Sequence, residues 1–311
     1  MPKSVFDMSP TAALSFLTQQ AAHIEAELYR IEYPQLKYNS LVPLDNSAPD
    51  WTKVVMFRGI DARGELQVFG PNSTDVPTVE IAMTQGFHEV KTAALGYTYS
   101  IEEIGFAAMN NTNLDAEKGQ AVRDVVEQGL NKIYLLGHDK LGEGLYTSPN
   151  VPVRSAPATL AALVSAIPTA GAQPVIDFFA AAYNGVYLDQ TTTVHRPNTF
   201  ALPAEQFQLL QRTLLDTKNA SNLTLLEFLR TNFKDMTFED DILLKELGAA
   251  SSDRMVTYKK DIRVVKGHDV MPLQFLAPAT ADNVNFKVPA ITRTGGTEWR
   301  IPKAANYTDG V

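Results

Sequence analysis

Residues 51–99 constrain the fold of this chain more than any other stretch. The segments WTKVVMFRGI, GELQVFG, TVEIAMTQG and FHEVKTAALGYTYS are rich in Val, Phe, Tyr and Thr and read as extended pieces. DARG and GPNSTDVP between them are turn-like. The pattern predicts a long two-stranded excursion with an irregular tip. A lone β-ribbon is marginal in water, so a chain that commits this much of itself to one must rest it on something else.

The flanks of the ribbon read as helices. Residues 9–33 carry Leu14, Leu17, Ala21, Ile24, Leu28 and Ile31 on one stripe, spaced by alternating steps of three and four. Ser9 can cap this helix, Pro10 sits at its first position, and Tyr33-Pro34 ends it. The stripe suits either a helix covering its own domain or an arm laid on a neighbouring subunit. After the ribbon, Ser100 followed three residues later by Glu103 is a capping-box pattern. Val122, Val125, Val126, Gly129, Leu130, Ile133 and Leu136 then continue a helical stripe to Gly137, which is placed as a C-terminal helix cap. NNTN at 110–113 and Gly119 weaken the middle, so one kinked helix or two helices are both compatible.

Composition shifts after TSPNVPVRSAP. Residues 158–250 alternate helical patterns with short extended pieces such as NTFAL, the signature of a compact α/β unit. DRMVTYKKDIRVVKGHDV returns to strand character, and the remainder is strand, Pro and Gly-turn material. No internal repeat of fixed period is present.

With 311 residues, 45% of them hydrophobic, the chain can bury a core and supply two domains. No apolar run approaches the roughly 18 residues of a membrane span. The first residues lack the basic-then-apolar pattern of a secretory signal. Sequons at Asn72, Asn110, Asn219, Asn222 and Asn306 therefore read as loop composition. The absence of cysteine excludes disulfides, Cys-ligated zinc and thiol catalysis. The net charge is -8, and Lys259-Lys260 is the longest basic run. Gripping nucleic acid through phosphate charge is thereby disfavoured.

Candidate chemistry is sparse. LLGHDKLGEGLYTSPNV, residues 135–151, offers a His-Asp pair, an acid between two glycines, and hydroxyls. His138-Asp139 and His268-Asp269 could suggest a metal-dependent hydrolase, but such sites need several ligands on facing helices, and VKGHDVMP reads as a solvated turn. Gly142 and Gly144 are a fragment of a dinucleotide loop that lacks its third glycine. FEDD at 238–241 reads as the charged first turn of a helix more readily than as a cation site. TRTGGTEWR at 292–300 reads as a hairpin turn. No P-loop and no GxSxG elbow occurs.

The order of arm helix, long ribbon, long helix and α/β unit resembles the major capsid protein of tailed bacteriophages with the Hong Kong ninety-seven-type fold. The residues that carry the likeness are SIEEIGFAAMNNTNLDAEKGQAVRDVVEQGLNKIYLLG, its exit HDKLGEGLYTSPNV, RPNTFALPAEQFQLL, NLTLLEFLRTNF and ITRTGGTEWRIPKAANYTDGV. The resemblance implies an α+β fold: an N-terminal arm at 1–50, an extended β-loop at 51–99, a peripheral domain with a long spine helix at 100–150, an axial domain at 151–265, and a return to the peripheral domain at 266–311. It implies a non-enzymatic shell subunit that assembles with itself as pentamers and hexamers into an icosahedral virion head, built in the host cytoplasm. The implied partners are a portal, a separate scaffold, decoration proteins and packaged double-stranded DNA bound without sequence specificity. It implies no cofactor, no metal and no membrane. The assembly candidates are Leu14, Leu17, Ile24 and Leu28 on the arm, Ser100 and Glu103 at the spine start, and Gly137, Gly142 and Gly144 at its exit.

Some family members carry a scaffolding segment ahead of the arm, and here the chain starts almost at the arm helix, so a separate scaffold is expected. Some members crosslink Lys to Asn; Lys91 and Asn306 lie in comparable regions, but no local motif supports such a bond. Three alternatives remain at this level: an encapsulin-type compartment shell, a minor phage structural protein, and a metal-dependent cytoplasmic hydrolase using His138, Asp139, His268 and Asp269.

Overall fold

The computed structural model describes residues 35–64, 78–100, 102–103, 114–215, 223–282 and 285–311. The expected arm helix, with Leu14, Leu17, Ile24 and Leu28, lies outside the described residues, as do the ribbon tip at 65–77 and residues 104–113.

Along the chain come helix α1 (Tyr38–Leu41) and strands β1 (Leu44–Asp45), β2 (Val54–Arg63), β3 (Glu80–Glu89) and β4 (Lys91–Ser100). Helix α2 (Leu114–Leu136) runs into the short pair β5 (Gly137–His138) and β6 (Gly142–Glu143). Strand β7 (Val153–Ser155) precedes α3 (Leu160–Ser165), α4 (Ile167–Ala170) and α5 (Gln173–Asn184). Next are β8 (Thr199–Pro203), α6 (Ala204–Arg212), α7 (Leu225–Asn232), β9 (Thr237–Asp241) and β10 (Arg254–Tyr258). The remaining strands are β11 (Val265–Phe275), β12 (Ala279–Asp282), β13 (Asn285–Trp299) and β14 (Ala305–Asp309).

The first sheet is organised around β13. Strand β4 lies along one side of it, from Ser100↔Asn285 to Lys91↔Thr294, and β11 and β12 lie along the other. Strand β1 extends β11 in parallel. Helix α2 packs across β4, β11 and β13. Val122, Leu130 and Tyr134 are buried on its inner face, in steps of eight and four residues that keep one side of the helix inward. Two findings differ from the expected stripe. Tyr134 and Leu135 are the most deeply buried residues of the helix, because the returning chain covers its last turn from behind. Val125, expected inside, is 49% exposed.

The second sheet runs β7-β14-β10-β8-β9. Its side chains alternate between two cores, as the two-residue period of a strand dictates. Phe200, Leu202 and Met255 face helices α3, α5, α6 and α7, where Phe179, Phe200 and Phe238 pack with ring centroids 5.1–5.8 Å apart. Ala201, Val256, Tyr258, Ala305 and Tyr307 face the end of α2, sharing a core with Leu41, Tyr134, Leu135 and Tyr146. Buried hydroxyls tie the layers together: Tyr258 donates to the Leu41 carbonyl at 2.6 Å, Tyr307 to the Leu145 carbonyl at 2.6 Å, and Tyr146 to Asp241 at 2.8 Å. Arg254 grips Asp309 with two bonds of 2.6 and 2.9 Å.

Three local expectations are corrected. Residues 238–241 are strand, paired in parallel with β8, and only Asp241 retains a capping role, accepting from the Leu243 amide at 3.0 Å. His268 is not a solvated turn residue but sits buried within β11 at 1% exposure. The Gly295-Gly296 pair is not a hairpin turn. It is a bulge inside continuous β13, where the ladder steps from His268↔Gly296 to Asp269↔Thr294 and leaves Gly295 unpaired. Residues 305–309 form β14, which sits between β7 and β10 in the second sheet.

Candidate assembly surfaces

The ribbon is β2 paired with β3 in unbroken antiparallel register, from Val54↔Glu89 to Arg63↔Glu80. Residues directly opposite share a face. Met56 and Phe87, Ile60 and Met83, and Ala62 and Ile81 therefore line one side. Apart from the Arg58–Gln85 pair between them, this side is apolar and exposed: Ile60 is 69% and Met83 and Phe87 are each 67% accessible. The opposite side is partly filled. The Phe57 ring lies over Gly86, where an added Cβ would come within 2.2 Å of it, and Arg300 stacks on that ring at 5.1 Å. The sequence pattern identified the ribbon segments; which face is apolar depends on register, which composition does not reveal.

Both legs of the ribbon are fastened to β13. The incoming leg is held by buried Arg293, whose guanidinium donates to the carbonyls of Asp50 at 2.7 Å and Thr52 at 2.9 Å and stacks on exposed Trp51. The outgoing leg is held by His88, whose Nε2 donates to the Gly295 carbonyl at 2.6 Å. The bulge makes this possible, because a bulged residue is withdrawn from the strand ladder. Neither Arg293 nor His88 was singled out from sequence, and no local signal marks them.

Ser100 and Glu103 meet as the capping pattern requires: the Ser100 hydroxyl accepts from the Glu103 amide at 3.1 Å, and the Glu103 carboxylate accepts from the Ser100 amide at 3.3 Å. Lys118 of α2 reaches Glu103 at 2.7 Å and the Thr98 carbonyl at 2.8 Å, joining the end of β4 to the helix.

At the other end of α2 the three glycines form a tight return. Gly137 has φ +81° and Gly142 φ +91°, both in the region that favours glycine. A Cβ on Gly137 would lie 2.4 Å from the Gly142 carbonyl oxygen, and one on Gly144 would lie 2.3 Å from the Gly137 nitrogen. The chain then doubles back, and the amides of Leu145 and Tyr146 donate to the carbonyls of Tyr134 and Leu135, each at 2.9 Å. The Thr147 hydroxyl donates to Leu136 at 2.8 Å. Carbonyls left free at a helix end are thus satisfied. Glu143, the acid between the glycines, accepts from Ser148 at 2.5 Å and Asn150 at 3.3 Å, so it braces the turn.

The chemical candidates do not converge. His138 sits on the surface and accepts from the Lys140 amide at 3.1 Å. His268 donates to Glu298 at 2.6 Å. Burial and the charge of Glu127 push the Asp269 carboxyl above its ordinary range. Among the described residues, no three His, Asp or Glu side chains are grouped so as to hold a metal ion. Asn306 is buried within β14, and Lys91 is paired with Glu89.

Comparison with known proteins gives a consistent picture. The family model described as major capsid protein matches residues 64–311. The capsid of Myoviridae phage XM1 superposes with a TM-score of 0.81 at 16% identity, covering 94% of this chain and 98% of that one. A protein of Gordonia phage Cozz gives 0.61 at 12% identity, with 99% and 97% covered. The capsid of a native GTA particle gives 0.61 at 9% identity, with 98% and 99% covered. These similarities establish the fold, which is that of the Hong Kong ninety-seven-type capsid proteins. Among curated proteins none matches the chain in sequence.

Proposed function

The chain belongs to the major capsid protein family and is a capsid shell subunit, and on that premise we propose how it builds the shell. Copies assemble as pentamers and hexamers into a closed icosahedral head around double-stranded DNA. The ribbon of each subunit lays its apolar face on the neighbouring subunit. The observation that carries this reading is that face itself: Met56, Ile60, Ile81, Met83 and Phe87 are exposed together on one side of a two-stranded ribbon. Two strands alone do not sustain such a surface in water. Covering each large apolar side chain contributes roughly 1.5–3 kcal/mol. Part of that is spent on the entropy of association, and the remainder is multiplied by the number of contacts in a closed shell.

We assign residues 51–99 to the extended loop, whose last strand β4 also joins the first sheet, α2 and the rest of the first sheet to the peripheral domain, and the second sheet with α3–α7 to the axial domain. On this assignment residues 305–309 belong to the axial sheet. Residues 1–50 form the arm, with Leu14, Leu17, Ile24 and Leu28 as its contact stripe. Gly137, Gly142 and Gly144 shape the passage between the two domains. The subunit has no catalytic role. A portal, a separate scaffold and decoration proteins complete the head, which is assembled in the host cytoplasm. The net charge of -8 keeps the inner wall from adhering to packaged DNA.

The test is negative-stain electron microscopy of the full chain, expressed alone and together with its neighbouring genes. Closed shells or five- and six-membered rings are expected. A uniform small particle under every condition would overturn the proposal.

A further inference from the structure

The two fastenings of the ribbon differ in chemistry. The fastening at Arg293 is a guanidinium, a group that carries its charge throughout the accessible pH range. The fastening at His88 is an imidazole, the side chain whose charge changes between pH 5 and 8. Its ring stacks on that of His268 with centroids 4.9 Å apart and planes 26° from parallel. Gly295 fits against both: a Cβ there would lie 3.0 Å from the His268 Cβ and 3.1 Å from the His88 ring. His268 in turn donates to Glu298, whose other oxygen is buried with no hydrogen-bond partner among the described residues.

We propose that His88 is a protonation-operated latch: it holds the outgoing leg of the ribbon on the first sheet at neutral pH and releases it on acidification, while Arg293 keeps the incoming leg attached. Strand β4 keeps its ladder on β13 from Lys91 onward, so the ribbon changes its angle at the base and does not detach. The latch lies within one chain, so it stands or falls independently of how copies assemble.

The charges around His88 set the direction. On β11 it faces His268 and Lys266, the latter paired with Asp45 of β1. On β13 it faces Glu298, which Arg300 approaches at 3.6 Å. On its own strand Glu89 is turned toward Lys91. Burial lowers the His88 pKa, the bond to Gly295 and the charge of Glu298 oppose this, and His268 and Lys266 add to the lowering; the net shift is downward. The released, solvated leg therefore binds a proton more readily than the latched one. The latch is at full strength above the ordinary histidine value near 6.5 and weakens as pH falls from there toward the depressed value. Glu298 acts later on the same path. Burial raises its carboxyl, but the His268 bond and the charges of His268, Arg300 and His88 bring it below its ordinary value. It stays ionised and keeps His268 in place while His88 leaves.

Amide hydrogen exchange of the full chain tests this. Peptides covering 87–90 and 292–297 would be read at about pH 7.5 and about pH 5, on either side of the histidine transition, and corrected for the intrinsic pH dependence of exchange. The wild-type chain is expected to lose protection there at the lower pH. Peptides of β10 and β14 should not change. His88→Gln keeps an N–H donor but cannot titrate, and should show one level of protection at both values. An unchanged wild type, or an equal acid-induced loss in His88→Gln, would overturn the latch. Should His88→Gln fail to fold, histidine ring-hydrogen exchange by mass spectrometry reads the wild-type residue directly. His88 titrating below the histidines of the denatured chain supports the proposal, and titration at or above them overturns it.

Discussion

The ribbon and the second sheet are built from similar residues and meet opposite fates. Both are rich in Val, Phe, Thr and Met, and both obey the two-residue alternation of a strand. In the second sheet every residue of β8 and β14 is buried, because helices cover one face and the end of α2 covers the other. In the ribbon most of β3 is exposed, and apolar side chains face solvent in a row. Strand propensity is therefore shared, and burial is what separates them. The free energy of the second sheet belongs to the single subunit, whereas on the proposed assembly that of the ribbon's apolar face is realised in the shell.

Substitutions can sharpen or break this contrast, ranked here by their effect on the isolated subunit. Phe200→Ala empties the aromatic core between Phe179, Phe233 and Phe238. It should cost about 3–5 kcal/mol in denaturant unfolding. Arg254→Ala leaves Asp309 buried and unpaired, at a cost of roughly 3 kcal/mol. Burial raises the Asp309 carboxyl, but the bonds from Arg254 and the Ala249 amide hold it below the usual range. A lowered carboxyl stabilises the fold above its unfolded value near 3.9, and that contribution is lost as pH falls through the folded value. Acid unfolding of the wild type should show this loss, and Arg254→Ala should lack it.

Gly137→Ala should cost about 2 kcal/mol, from positive φ together with contact against the Gly142 carbonyl. A melting curve unchanged by it would remove the glycine turn from the argument. Last, Ile60→Ser with Met83→Ser should alter subunit unfolding by no more than about 0.5 kcal/mol. The same pair should sharply lower the yield of closed shells by electron microscopy. Loss of subunit stability with shells intact would reverse the comparison.

The parts legible in the sequence were those governed by neighbours along the chain. The Ser100–Glu103 cap, the stripe of α2 and the glycine at its end are contacts between residues three or four apart, or single-residue conformations. The parts that were not legible are decided at long range. Gly295-Gly296 carries the same local signal as a hairpin turn, and only the register against β11 makes it a bulge. His268 sits between Gly267 and Asp269 in a turn-like string, yet pairing on both sides of β11 buries it. The acids at 238–241 are strand because β8 lies beside them. Arg293 and His88 act on residues more than 200 positions away, which no periodicity encodes.

The place of β14 has a consequence for synthesis. It is the strand that joins β7 to β10, so the second sheet remains in two pieces until residues 305–309 have left the ribosome. At ordinary translation speed that interval is roughly 10–30 s after β7 has been made. From the moment β10 has been made until β14 follows, it presents an open edge, and the core formed by Tyr258 and Tyr307 is incomplete. A nascent or truncated chain therefore lacks the body on which ribbon and spine are mounted, and shell building is kept behind the completion of each copy.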